Sequence, residues 1–113
     1  MVTLAPSLPP ANLRATSKTS PTVIKVHWKP VPKPFYVHGI LRGYRVFYRP
    51  ISVSGKPIKA TARFNEITVG PSDHSAQLKG LNSFTKYEIK VLAFTDKGDG
   101  VKSLSVTAGN PKE

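Results

Sequence analysis

Apolar and polar residues alternate in short segments along the whole chain. In the segment Ile24–Lys29, for example, Ile, Val and Trp occupy every second position, with Lys, His and Lys between and after them. Successive side chains of a β-strand point to opposite faces of a sheet, so this period of two assigns one face to a core and the other to water. An apolar sheet face is stable in water only when it is covered, which predicts two antiparallel sheets packed face to face.

Proline and glycine separate these segments from one another. Eleven of the 113 residues are proline, which is poorly tolerated inside helices and central strands and therefore implies many loops and edges. Clusters at Gly55–Pro57, Gly70–Asp73 and Asp96–Gly100 indicate turns, the last of them a tight hairpin. The pattern predicts an all-β chain with seven strands: Asn12–Ser17, Thr22–Lys29, Gly43–Arg49, roughly Ala60–Val69, His74–Lys79, Lys86–Phe94 and Val101–Ala108.

Length and residue types limit the class of protein. A chain of this length suits one domain, which we expect over residues 9–109, between linker segments at 1–8 and 110–113. The absence of cysteine excludes disulfides and thiolate metal sites but is compatible with either side of the membrane. No apolar run approaches the ~18 residues of a membrane helix, and Met1–Pro10 lacks the apolar stretch of a signal peptide. We therefore expect one piece of a longer protein.

The order and spacing of several short motifs are more specific than the alternation. The chain has Pro10-Ala11-Asn12-Leu13 near its start, Trp28 followed by Pro30 in the second predicted strand, and the run from Gly43 to Arg49 in the third. Later matching residues are Leu81, Thr85, Tyr87, Val91, Ala93, Gly98, Gly100 and Ser103. Together they resemble the fibronectin type III domain over nearly the whole chain. The resemblance implies a seven-stranded antiparallel immunoglobulin-like β-sandwich.

Four residues are expected to be structural. Trp28, on the apolar face of its strand, is predicted to lie between the sheets at the centre of the core. Tyr44 is predicted to point inward from the third strand. Tyr87, six residues after Leu81, resembles the tyrosine corner, in which the hydroxyl bonds to upstream backbone. The chain departs from the family pattern at Ser83 and over residues 50–64, so side-chain directions between 51 and 69 are left open.

Chemistry typical of enzymes is not indicated. His27, His38 and His74 are scattered over a strand face and loops, and no carboxylate is spaced to orient any of them. We therefore expect no catalysis, cofactor, metal or small-molecule substrate. The tripeptide Lys97-Gly98-Asp99 lies where some members of the resembled family present an integrin ligand, but its glycines also suit a tight turn, which is the favoured interpretation.

Charge is the remaining signal, since 17 Lys and Arg against 6 Asp and Glu give a net charge of +11. Alternation sorts part of this charge onto the outer face of one sheet, with two apolar residues among the cations, which predicts a candidate binding face. Arg14, Lys25, Lys29 and Lys79 are expected on the opposite sheet. A solvated surface that keeps the chain soluble is the alternative. The predicted binding face is Arg45, Phe47, Arg49, Lys86, Lys90, Leu92 and Lys102.

Three functions remain open. The first, which the resemblance implies, is a spacer and protein-binding module of an extracellular or cell-surface protein of the adhesion or receptor type, with neighbouring domains and another protein as partners. The second is a domain that binds an acidic glycan similar to heparan sulfate through Arg45, Arg49, Lys86 and Lys90. The third is a repeat in a cytoplasmic filament protein, mildly favoured by the lack of an Asn-x-Ser/Thr glycosylation site. Nucleic acid is disfavoured because the aromatics fall mainly at inward positions, and no membrane contact is expected.

Overall fold

A computed structural model describes residues 8–17, 20–32, 39–59 and 63–109. Within these ranges every regular element is a strand, and no helix could cross a lipid bilayer. The all-β prediction is confirmed. The strands are β1 (Ala11–Thr16), β2 (Ile24–Lys29), β3 (Leu41–Val53), β4 (Lys56–Pro57), β5 (Asn65–Val69), β6 (Ser75–Leu78), β7 (Thr85–Thr95), β8 (Gly98–Asp99) and β9 (Val106–Gly109).

The strands form two antiparallel sheets. The small sheet has the order β1-β2-β6. The large sheet has the order β4-β3-β7-β8, with β5 also pairing with β3 and β9 with β7. The apolar faces of both sheets contribute to one buried cluster, as the alternation predicted.

Trp28 lies at the centre of this core. Only 4% of its surface is exposed, and its ring centroid is 5.4 Å from that of Tyr44 on the other sheet. Leu81 and Tyr87 are buried in the same cluster, and Tyr48 packs against it while remaining half-buried. The full set of buried core residues is Ile24, Val26, Trp28, Val31, Tyr44, Val46, Leu78, Leu81, Tyr87, Ile89, Val91 and Ala93.

Two tyrosine hydroxyls accept hydrogen bonds that fix loops to the core. The backbone N–H of Asn82 donates to the Tyr87 hydroxyl at 2.9 Å, which is the upstream backbone contact expected of a tyrosine corner. The backbone N–H of Val31 donates to the Tyr44 hydroxyl at 3.2 Å. Each tyrosine thus fills the interior with its ring and binds a loop with its oxygen.

The region left open by the sequence has a defined register. β3 continues past its predicted end at Arg49, because a register shift between Pro50 and Ser52 accommodates the proline in the ladder to β7. β3 then turns at Ser54 and Gly55, whose φ values of 48° and 80° suit a two-residue hairpin. The pairs from Tyr44–Val69 to Tyr48–Asn65 align β5 with β3, and β5 begins at Asn65.

The predicted seventh strand, Val101–Ala108, is wrong in its bounds. Its place is taken by β8 and β9, and residues 101–105 between them form no regular strand. On β7, Phe94 pairs with Asp99 and Ile89 pairs with Val106. The segment from Asp99 to Val106 is two residues longer than the stretch of β7 between these pairs, so it bulges out of the sheet. Ser103 still joins it to β7, because its N–H donates to the Val91 carbonyl at 2.8 Å and its Oγ accepts from the Val91 N–H at 2.9 Å.

Several predicted features fall outside the described residues. They are the proposed linker segments, apart from Leu8, together with His38 and the start of the fourth predicted strand at Ala60.

Candidate functional site

The residues predicted to form a binding face share the outer surface of the large sheet, here called the large-sheet face. Arg45 lies directly opposite Leu92, Phe47 opposite Lys90, and Arg49 opposite Glu88 in the ladder between β3 and β7. Lys86 lies on the same side of β7 by alternation. Lys102 reaches the face from the bulged segment, with its Nζ 4.6 Å from the centroid of the Phe47 ring.

Aromatic rings lie between the cations of this face. The Arg45 guanidinium carbon is 4.0 Å from the Phe94 ring centroid, and that of Arg49 is 4.5 Å from the Phe64 centroid. Phe64 also meets Phe47 edge to face, at 6.4 Å between centroids. Cations within about 6 Å of an aromatic face are attracted by the ring quadrupole. The face is therefore a set of mutually ordered rings and cations.

Phe64 and Phe94 were not among the predicted site residues. Phe94 follows Leu92 by two positions, so alternation along β7 contained the signal for its direction. Phe64 precedes β5, whose register the sequence pattern does not define, and only the pairing of β5 with β3 brings it to this face.

Carboxylates neutralise both arginines of the large-sheet face. Arg45 Nε lies 3.0 Å from Asp99 Oδ1, and its Nη1 lies 3.7 Å from Glu66 Oε2. Arg49 Nε lies 2.9 Å from Glu88 Oε1. The hydrogen bond from Arg49 holds the pKa of the Glu88 carboxyl below its ordinary value, against the opposing effect of partial burial. A polyanion approaching this face would meet arginines that already have anionic partners.

Leu92 was predicted to be an exposed apolar residue of the face, and that prediction is wrong. It lies on the outer side of β7, but only 2% of its surface is exposed. β7 is flanked by β3 on one side and by β8 and β9 on the other, so a leucine on it has neighbouring strands on both sides. Phe47 is half-buried rather than fully exposed.

The Lys97-Gly98-Asp99 segment agrees with the turn interpretation. Gly98 pairs with Thr95 across a two-residue hairpin, and the Lys97 N–H donates to Thr95 Oγ1 at 3.1 Å. The carboxylate of Asp99 is paired with Arg45. The adjacent Asp96 accepts a 2.8 Å hydrogen bond from the Ile40 N–H, which holds the pKa of the Asp96 carboxyl below its ordinary value.

The outer surface of the small sheet is also basic, and a groove lies beside its cations. Lys25, His27 and Lys29 point outward from β2, because the residues between them are buried. Arg14 on β1 lies directly opposite His27. An open groove of about 740 Å³ runs beside this pair and is lined by Arg14, Ala15, Thr16, His27, Val106 and Thr107.

The structure describes two of the three histidines, His27 and His74. His27 and His74 are both exposed, the first on β2 and the second just before β6. Over the described ranges, no three or more His, Cys, Asp or Glu side chains are grouped so that they could hold a metal ion.

Known cell adhesion molecules are similar to this chain. Cell adhesion molecule DSCAM of Gallus gallus is 41% identical over 102 residues, which are 89% of this chain and 5% of that protein. Protein sidekick-1 of Gallus gallus is 36% identical over 108 residues, 96% of this chain and again 5% of that protein. The chain thus spans about one twentieth of the length of these relatives, and its homologues are of the adhesion class that the sequence predicted.

The fold is also similar to that of a solved fibronectin III domain. The solution structure of the third fibronectin III domain of the human KIAA0343 protein superposes with a TM-score of 0.81 at 30% identity, covering 96% of this chain and 85% of that one. The family model described as "Fibronectin type III domain" matches residues 8–109. Its match spans most of the chain, and with the two-sheet antiparallel architecture it confirms the resemblance found in the sequence motifs. This chain belongs to the fibronectin type III family.

Proposed function

We propose that this domain is a non-catalytic spacer and protein-binding module of an extracellular, cell-surface protein of the adhesion or receptor type. Its partners are then neighbouring domains of the same chain and a second protein. The similarity to cell adhesion molecules supports the class of the parent protein. The positions of the first and last strands support the spacer role, and the large-sheet face supports the binding role.

The observation that carries the spacer role is that β1 begins and β9 ends at opposite ends of the sandwich. Ala11 of β1 pairs with Lys29 at the end of β2, next to the Val31–Tyr44 hydrogen bond near the start of β3. Gly109 of β9 pairs with Lys86, at the far end of the long strand β7. The longest dimension of the molecule is 48 Å. A chain that enters at one end and leaves at the other suits domains arranged in a line.

The binding role rests on the ordered side chains of the large-sheet face. Its arginines are held by carboxylates and rings at once, so they lose little conformational freedom when a partner covers them. Arginine and aromatic residues are also enriched at the energetically important centres of protein interfaces. Phe47 with Lys102 above it is the accessible centre of this arrangement.

A cell-attachment assay tests the binding role. Wells are coated with the wild-type chain or with the double variant Phe47→Ser/Lys102→Ser, and cells are treated with heparinase beforehand so that glycans contribute little. The control is Val53→Ser/Lys56→Ser, a directly opposed apolar and basic pair on the β3–β4 hairpin. We expect the face variant to lose attachment by about tenfold and the control to keep it. Absence of attachment to the wild-type chain, or equal loss in both variants, contradicts the binding role.

A further inference from the structure

The two outer faces of the sandwich differ in where their negative charges lie. Three of the acidic residues, Glu66, Glu88 and Asp99, pair with the arginines of the large-sheet face. Asp96 accepts a hydrogen bond from Ile40 in the hairpin region. The outer face of the small sheet therefore holds its cations without these carboxylates.

The cations of the small sheet form a continuous set, here called the small-sheet face: Arg14, Lys25, His27 and Lys29. Within the described part of the chain none of the four takes part in an ion pair. The acidic residue nearest to them along β6 is Asp73, which precedes that strand, and its Oδ2 accepts a 2.9 Å hydrogen bond from Gly70 within its own turn. Arg14, His27 and Lys29 are exposed and Lys25 is half-buried.

The spacing of these cations suits a linear polyanion. Alternate residues on β2 are about 7 Å apart along the strand, and neighbouring strands are about 4.8 Å apart. Arg14 and His27 are directly opposite each other and line the groove of about 740 Å³ between β1 and β9. Hydroxyl and amide side chains lie beside the cations, with Ser75 opposite His27 and Gln77 opposite Lys25. Cations and hydrogen-bond donors together match sulfate and hydroxyl groups on an extended chain.

We propose that the small-sheet face binds a sulfated polysaccharide, and that Arg14, Lys25 and Lys29 are its main contacts. The proposal rests on the cell-surface location in the proposed function, because sulfated polysaccharides are met there. It also moves the polyanion site predicted from sequence to the opposite sheet, since Arg45 and Arg49 have carboxylate partners.

Other polyanions fit this face less well. Single-stranded nucleic acids are typically bound on exposed aromatic platforms, and none of the four residues or their cross-strand neighbours is Phe, Tyr or Trp. A membrane surface is typically bound by apolar side chains together with cations, and none of the four residues or their cross-strand neighbours is an exposed large apolar residue.

The test compares three charge variants of the full chain on immobilised heparin over a range of salt concentrations. The first is Arg14→Ser/Lys25→Ser/Lys29→Ser. The second, Lys56→Ser/Lys59→Ser/Lys97→Ser, removes the same charge from exposed turns and the hairpin. The third, Lys86→Ser/Lys90→Ser, lies on the large-sheet face. We expect the first to lose affinity about tenfold or more and to reduce the salt dependence by roughly one unit of log–log slope per contact. The other two should lose less than about threefold.

Equal losses in the first and second variants would show that bulk charge explains binding and would overturn the proposal. A larger loss of heparin affinity in the third variant than in the first would place the site on the large sheet and would also overturn the proposal. Binding of duplex DNA or phosphatidylserine vesicles as tight as that of heparin at equal salt would contradict the choice of ligand. Because the test uses purified chain without cells, its failure is distinct from failure of the attachment assay.

Discussion

Arg49 and Glu88 occupy directly opposite positions on β3 and β7, and their side chains meet at 2.9 Å between Nε and Oε1. The guanidinium of Arg49 also lies 4.5 Å from the centroid of the Phe64 ring. The Arg49 guanidinium is thus held by the Glu88 carboxylate on β7 and by the Phe64 ring, which precedes β5. This arrangement makes the large-sheet face an ordered surface with little unpaired arginine charge.

Replacing Glu88 by Gln should destabilise the domain at neutral pH by about 0.5–1 kcal/mol, since the pair is partly exposed. The Glu88 pKa is lowered in the folded state, so the pair stabilises the fold above the ordinary value of 4.5 and loses its effect as the pH falls through the lowered pKa. Thermal unfolding of both proteins at pH 7 and at strongly acid pH measures this. We expect the difference to disappear in acid, and a difference that stays constant would contradict the role of the charge.

Replacing Tyr87 by Phe removes the acceptor for the Asn82 N–H while keeping the buried ring. Because Asn82 is exposed and water can reach its N–H, we expect a loss of about 1 kcal/mol in chemical denaturation. Tyr48→Phe is the control, since that half-buried hydroxyl has no hydrogen-bond partner within the described ranges. Equal effects of the two substitutions would show that the tyrosine corner contributes nothing specific.

Replacing Ser103 by Ala leaves the buried Val91 N–H without its acceptor at the bulge. An unsatisfied buried donor costs about 1–3 kcal/mol, and we expect a loss of stability in that range. Hydrogen exchange should show faster exchange at the Val91 amide. Ser72→Ala, in an exposed turn, should change neither quantity. Unchanged exchange at Val91 in the Ser103 variant would contradict the assignment of this bond.

Replacing Gly43 by Ala should separate β3 from β5. A Cβ at position 43 would collide with the carbonyl oxygen of Val69 and crowd the Phe94 ring. We expect a loss of about 1–3 kcal/mol, because backbone atoms of a paired strand must move. Gly70→Ala is the control, since its Cβ would meet only the Asp73 carboxylate at an ordinary distance of 3.4 Å. A tolerated alanine at 43 would contradict the close strand approach.

The parts of the fold that could be predicted from sequence depend on short-range patterns. Alternation in Ile24–Lys29 is enough to place Trp28 inside and Lys25 outside, because strand geometry leaves no other arrangement once one face is buried. The spacing of Leu81 and Tyr87 likewise predicted the tyrosine corner, because its hydrogen bond from Asn82 to Tyr87 spans only five residues.

The parts that could not be predicted depend on register between distant segments. Phe64 joins the large-sheet face only because β5 pairs with β3, and the sequence from Pro50 onward has no clean period of two. The pairing of Arg45 with Asp99 spans 54 residues and needs the bulge-flanked strand β8. Burial of Leu92 depends on the position of β7 between neighbouring strands, which alternation alone does not describe.

The large-sheet face has arginines that are paired with carboxylates, whereas the small-sheet face has cations without such partners in the described part of the chain. This difference between the two faces can be tested by amide chemical-shift mapping. The isotopically labelled chain is titrated with a heparin-derived oligosaccharide. We expect the largest shift changes in β1 and β2, at Arg14 and from Lys25 to Lys29. Largest changes in β3 and β7, between Arg45 and Arg49 and at Lys86 and Lys90, would contradict this difference between the faces.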